Sequence, residues 1–218
     1  MNSEYNSRIL TSLALLPVLI LCCYYSGFYL IFFLIIIFFL SFFEIIKNKK
    51  NILFNIFASS ILILALFSFY YLRGDTDYSL ITIYWILFST FLSDTGGYIF
   101  GKMFKGKKLT KISPNKTYSG SIGSIFLSLT SIPFIHLTQL ILFKENLINF
   151  LNIKFLCLTI SISVVCQLGD LFVSFCKRKK KIKNMSNLLP GHGGVLDRID
   201  GLIFVLIFNL ILKKINLI

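Results

Sequence analysis

Charge is scarce in this chain. Only 14% of its 218 residues are charged and only nine are acidic, where a soluble domain carries about a quarter charged residues. So little polar surface cannot coat a globule, which excludes an ordinary water-soluble domain. Metal and redox spacings are also missing. The five cysteines (Cys22, Cys23, Cys157, Cys166 and Cys176) form an odd set without CxxC or a Cys/His zinc pattern, and they lie in or beside apolar runs. They read as small lipid-facing or packing residues rather than redox centres or ligands. The chain has no Walker loop, dinucleotide fingerprint or Ser/His/Asp arrangement. It has no internal repeat and no low-complexity linker, so residues 1–218 read as one integral membrane domain.

What is present is apolar. Hydrophobic residues make up 56% of the chain, 24 of them Phe, and the mean hydropathy is +0.81. Apolar stretches of roughly 20 residues cross a bilayer as helices, because a helix satisfies its own backbone polar groups. The expected fold is therefore all-α, a polytopic transmembrane bundle of about seven spans. Ile9 to Phe43 is too long for one crossing and divides at Tyr24–Gly27. Further spans run from Ile52 to Leu72, Tyr78 to Ser93, Ser121 to Phe143, Ile153 to Phe175 and Leu202 to Leu212, the fourth and last being short. A cleaved signal peptide is the alternative for the first span, but Arg8 is its only basic flank and a second span follows at once.

A net charge of +13 suggests nucleic acid in a soluble protein, but here it is a topology signal and no nucleic-acid partner is expected. With the N-terminus inside, 17 of the 22 basic residues fall in inner segments, leaving Arg73, Lys144, Lys154, Lys213 and Lys214 outside. The last two sit awkwardly there, and a missed or re-entrant segment would remove the conflict.

Two motif-bearing segments, 94–120 and 167–200, hold the polar residues placed at or inside apolar spans. FLSDTGGYIFGKMF puts Asp94 at the end of the fourth span; it is a functional candidate by depth, or an interfacial residue followed by the turn glycines Gly96 and Gly97. The Lys-rich KGKKLTKISPNKTYSGSIGS opens a new helix and suits phosphate, or it is a basic loop touching anionic headgroups. CQLGDLFVS buries Asp170 in the sixth span, and CKRKKKIK and NLLPGHGGVLDRIDG follow. If the last helix begins at Asp197, then Asp197 and Asp200 share one face, and with Asp170 they can hold a hard cation such as Mg²⁺. Carboxylates for a metal, cations for phosphates and glycines for close backbone approach equip a membrane surface for phosphoryl or nucleotidyl transfer on a lipid.

These residues resemble the phosphatidate cytidylyltransferase (CDP-diacylglycerol synthase) family. The C-terminal pattern is met by Ser174, Lys177, Arg178, Lys183, Ser186, Leu189, Pro190, Gly191, His192, Gly193, Gly194, Asp197, Arg198 and Asp200. Upstream motifs are met by Gln167, Gly169 and Asp170, by Ser113, Pro114, Lys116, Thr117 and Gly120, and approximately by Asp94, Gly96, Tyr98 and Gly101. Arg8, Ile9, Thr11, Leu15 and Pro17 meet the N-terminal one. The chain departs from the family at Val173 and Asn184, where acidic residues are usual, and at Ser119.

The resemblance implies a multi-pass protein of the bacterial inner (plasma) membrane, its active site facing the cytoplasm. It implies the joining of CTP and phosphatidate to give CDP-diacylglycerol and pyrophosphate, with Mg²⁺ as cofactor and a second cation left open. Membrane lipids are the surrounding partners, and a homodimer is left open. By the same resemblance Asp170 and Asp197 are metal ligands, and Asp200 is an additional carboxylate. Lys116, Lys177, Arg178 and Arg198 hold phosphates, and His192 shapes the phosphate loop. Ser113, Thr117, Ser174, Gly191, Gly193, Gly194 and Asp94 complete the substrate-binding set, with a structural ion pair as the alternative for Asp94. Two other functions remain open: a CTP-dependent lipid-alcohol kinase of the dolichol or phytol type, and a non-catalytic membrane protein, either a small transporter or a decayed homologue.

Overall fold

The structure, a computed structural model, describes residues 16–47, 52–110, 113, 116–179, 182, 185–186 and 193–218. Eight helices account for most of them: α1 (Leu16–Tyr25), α2 (Gly27–Lys47), α3 (Ile52–Arg73), α4 (Asp77–Phe104), α5 (Tyr118–Leu129), α6 (Ser131–Phe143), α7 (Ile153–Lys179) and α8 (Leu196–Lys214). Among the described residues no strand forms, and Lys108 and Thr117 make an isolated bridge, so the fold is an all-α bundle. Four stretches among the described residues are long and apolar enough to cross a membrane: α2, α3, α5 with α6, and α7.

The helices alternate in direction. One end of the bundle gathers the α1–α2 turn, the end of α3 and the end of α8. There, buried Arg73 donates to the carbonyls of Cys23 and Tyr24, and Lys213 Nζ donates to the carbonyl of Tyr71 at 3.2 Å. The other end gathers the end of α2, the starts of α5 and α8 and the last turns of α7. Together α5 and α6 make one stretch of crossing length. Lys213 and Lys214 need no additional crossing: their ammonium groups lie over the Tyr71 ring, 5.2 and 4.6 Å from its centroid. The α3 carbonyls nearby are the negative end of a helix, which favours such cations.

The structure corrects two expected boundaries. The fourth span does not stop at Ser93. It continues to Phe104 as a helix of 28 residues, about 42 Å at ~1.5 Å per residue. Gly96 and Gly97 are therefore helical, and they serve as contact points. A Cβ on Gly96 would lie 2.5 Å from the Gly123 carbonyl oxygen, one on Gly97 2.7 Å from Ser124 Oγ, and one on Gly120 2.8 Å from the Gly97 carbonyl oxygen. Small residues let α4 and α5 approach backbone to backbone, as small residues do in membrane interfaces. Second, the fifth span is broken at Thr130. Pro133 has no N–H and its ring crowds the carbonyl of Leu129, so the α5 ladder cannot run through. The last helix starts at Leu196, one residue before the start expected at Asp197 and six before its apolar stretch.

Polar groups of α4 are paired inward against α6 and α7. Ser89 and Ser131 meet at 2.7 Å, Ser93 and Ser163 at 2.8 Å, and Trp85 Nε1 donates to Thr159 Oγ1 at 3.1 Å. Trp85 also packs on Phe150 and Phe155, which anchors α4 far from the carboxylate end. Gly96→Ala is expected to force α4 from α5 and cost about 1–3 kcal/mol, read as a lowered melting temperature of the purified protein in detergent. A similar loss from Tyr98→Ala, at an exposed position, would contradict this account of the contact.

Candidate active site

Helices α4, α7 and α8 meet where their carboxylates lie. Asp94 projects from α4 toward α7, and the Cys166 thiol donates to its Oδ1 at 3.2 Å. Ligand atoms of Asp94, Cys166 and Asp170 all lie within 4.8 Å of one another; Asp94 is exposed, Asp170 half-exposed and Cys166 buried. From α8, Asp200 comes close enough to Asp170 for the two carboxyl groups to act on each other electrostatically. The crossing is close because Gly201 lets it be: a Cβ there would stand 2.8 Å from Asp170 Oδ1 and 2.7 Å from Cys166 Sγ. Like-charged carboxyl groups this close repel unless a proton or a cation sits among them.

Two lysines face this group. Lys116 Nζ lies 3.2 Å from Asp170 Oδ2. The loop after α4 delivers it, folding back so that the Leu109 N–H donates to the Lys116 carbonyl at 2.8 Å. Thr117 then caps α5, its Oγ1 accepting from the Gly120 N–H at 3.1 Å. Lys177, one of the most buried charges in the protein, lies 2.9 Å from Asp197 Oδ1 and 3.2 Å from Asp200 Oδ2. Asp197 is on the first turn of α8 and Asp200 about one turn on, and the two share a face, as their spacing requires. A chain of contacts thus runs Lys116, Asp170, Asp200, Lys177, Asp197, with Asp94 beside Asp170.

The expected site residues separate within this layout. Asp170 and Asp197 are joined through Asp200 and Lys177. Asp197 is heavily engaged, its Oδ2 accepting from the Met185 N–H at 2.9 Å and the Gly194 N–H at 3.1 Å. Arg198 is exposed but acts electrostatically on Asp94, as Lys116 does. Arg178 is exposed and donates to the Ile182 carbonyl at 3.3 Å, away from the carboxylates. Ser174 is half-buried on α7. Ser113 accepts from the Lys116 N–H through its carbonyl at 3.1 Å, which shapes the loop. Gly193 adopts φ 88° just before α8. Gly191 and His192 lie outside the described residues.

Two residues at the site were not singled out by sequence reasoning. Cys166 reads as a packing residue but lies inside the carboxylate cluster, because it sits one helical turn before Asp170. Its soft thiol suits hydrogen bonding to Asp94 better than a hard cation does. Glu44 carries no motif, yet it is fully buried near the end of α2 and bonded to the start of α8. The only signal was a carboxylate in the apolar run FFEIIK. Beside Lys177 lies a partly open apolar pocket, walled by Phe54, Phe57, Ile61, Phe172, Val173 and Phe204 among others. Val173, which stands where the resemblance leads to an acidic residue, is one of its apolar walls.

The bundle and this site define a polytopic membrane protein with a carboxylate and ammonium centre at one end of the membrane and an apolar pocket beside it. Residues 48–215 match the model of the cytidylyltransferase family, and the chain belongs to that family. It is 41% identical over 138 residues to a phosphatidate cytidylyltransferase of Staphylococcus saprophyticus, covering 61% of this chain and 50% of that protein. A Rickettsia conorii protein of the same name is 37% identical over 147 residues, 64% of this chain and 60% of its own. One from Staphylococcus aureus is 42% identical over 135 residues, 60% of this chain and 49% of its own. The matches thus span about half the length of these curated relatives.

Proposed function

We propose that the site joins CTP to phosphatidate, forming CDP-diacylglycerol and releasing pyrophosphate, at the cytoplasmic face of a bacterial-type plasma membrane. The observation that carries this reading is the meeting of Asp94, Asp170 and Asp200 with Lys116 and Lys177 beside an apolar pocket. Carboxylates from three helices suit one hard divalent cation; the two ammonium groups suit phosphate; the pocket suits an acyl chain. The names of the relatives point the same way, and the concentration of basic residues at this end supports its placement in the cytoplasm.

In this reaction a phosphate oxygen of phosphatidate attacks the α-phosphorus of CTP. The new P–O bond forms as the bond to the bridging α–β oxygen breaks, and pyrophosphate leaves with that electron pair. A phosphomonoester is already anionic near neutral pH, with a second pKa of about 6, so the site needs no strong general base. Positioning and neutralisation of charge carry the rate. Oxygen donors fit Mg²⁺: Asp170 would hold it with Asp94 and Asp200 beside it, and bound there it would supply charge neutralisation to the phosphates. Asp197, expected to share this ion with Asp170, serves here to hold Lys177 and the loop amides. Lys116 and Lys177 exchange their carboxylate partners for phosphate oxygens when substrate arrives.

The lipid-alcohol kinase is tested by where label goes. With phosphatidate vesicles, purified protein and CTP labelled at the α-phosphate, label is expected in the lipid, with pyrophosphate formed in equal amount. Lipid labelled from γ-labelled CTP, with CDP as co-product, would overturn the reading in favour of a kinase.

A further inference from the structure

Two carboxylates close the neck of the glycine-rich segment, taking donors in alternation. Asp197 accepts from the N–H groups of Met185 and Gly194. Glu44 accepts from Ser186 Oγ at 2.7 Å and from the N–H groups of Val195 at 2.7 Å and Leu196 at 2.9 Å. Neighbours in sequence therefore bind different acids, one on α8 and the other on α2, more than 140 residues earlier.

The start of α8 needs an outside acceptor. A helix leaves its first N–H groups without intrahelical partners, and the N-cap residue of α8, Val195, makes no side-chain cap bond. Glu44 does this from another helix, and a negative group there also suits the positive end of α8. The fit is tight: a Cβ on Gly194 would lie 2.6 Å from Glu44 Oε2, so the glycine and the buried acid require each other. Glu44 is completely buried, and these hydrogen bonds go to Ser186, Val195 and Leu196 rather than to the carboxylate centre. It also precedes the stretch that matches the family model.

We propose that Glu44 is a positioning residue that fixes where α8 begins, and through it the placement of Asp197 and Asp200 against Lys177 and Asp170. Asp197 is on the first turn of α8 and Asp200 follows one turn on in the same helix, so a shift of the helix start moves both together. Glu44 thereby couples the second membrane helix to the carboxylate centre. The consequence for rate rests on the reaction proposed above; the clamp itself does not.

The test compares wild type, Glu44→Gln and Glu44→Ala in nanodiscs, with Glu145→Ala, in the loop after α6, as control. Backbone hydrogen exchange of residues 193–198 is read beside the initial rate of CDP-lipid formation. Loss of the cap is expected to speed exchange at Val195 and Leu196 at least about tenfold, while Ile203–Leu206 in the body of α8 keep their protection. The kcat per folded molecule is expected to fall at least about tenfold in Glu44→Ala with a smaller change in KM for CTP. Glu44→Gln, which keeps one acceptor oxygen, falls between. If Glu44→Ala does not fold, Glu44→Gln is read on the same two scales. Unchanged exchange at Val195 and Leu196 overturns the clamp, and faster exchange with kcat retained overturns the positioning role. A wild-type protein that makes no CDP-lipid removes the proposed reaction, and the exchange data then judge the clamp alone.

Discussion

Asp170→Asn is expected to lower kcat/KM for CDP-lipid formation by at least about a thousandfold, with the folded protein retained. Asp170 is the hub of the site. It meets Asp94 and Cys166 on one side, Asp200 on another, and Lys116 at 3.2 Å. Removing its charge takes away the central oxygen donor for a cation whose neutralising effect is worth several kcal/mol, each ~1.4 kcal/mol being tenfold in rate. The cost to folding is expected to be small, because the Lys116 pair is partly solvent-open and such pairs contribute little. Asp197→Asn is expected to lower the rate as well, but through Lys177 and the loop, so its dependence on Mg²⁺ concentration stays that of wild type. A Mg²⁺ requirement raised equally in both variants would return Asp197 to the role of direct ligand.

The second large effect is expected at Lys177. Its ammonium sits between Asp197 and Asp200 with all three side chains largely buried, exposed by 10, 11 and 16%. Lys177→Met leaves two acids facing each other at the start of α8, and breaking a buried pair in this way costs about 3–5 kcal/mol. A lower melting temperature and loss of activity are expected together. The double variant Lys177→Met with Asp200→Asn removes the repulsion, so it is expected to recover much of the melting temperature and none of the activity. Recovery of both would mean that Lys177 serves only to hold the fold. Lys179→Ala, two residues on, is the contrast: that side chain is exposed and lies over the Phe175 ring at 4.8 Å, so its loss is expected to leave the rate within about twofold, as for most surface substitutions.

Much of this architecture is legible in the chain itself. The apolar runs of α2, α3 and α7 announce their helices, because lipid leaves the backbone no other way to satisfy its polar groups. Asp170, Asp197, Asp200, Lys116 and Lys177 stand out because a charge at membrane depth demands a reason. The misread places are those where a tertiary contact reverses a local signal. Gly96 and Gly97 look like a turn until Gly120 and Gly123 are seen against them. What caps the start of α8 is hidden in the sequence, because the acceptor for the Val195 and Leu196 N–H groups is Glu44 of α2. Arg73 counts as an ordinary outer charge in the sequence, yet it is buried and closes the α1–α2 turn through backbone carbonyls. Pairings of acids across helices depend on which faces meet, and apolar runs alone do not specify that.

The claim on which the rest depends is that acids from α4, α7 and α8 hold one divalent ion. Electron paramagnetic resonance of Mn²⁺ titrated into the purified protein measures this directly. One bound ion per chain, displaced by Mg²⁺, lost in Asp170→Asn and kept in Asp197→Asn, is the predicted result. Absence of bound Mn²⁺ in the wild-type protein, or undiminished binding in Asp170→Asn, would contradict it.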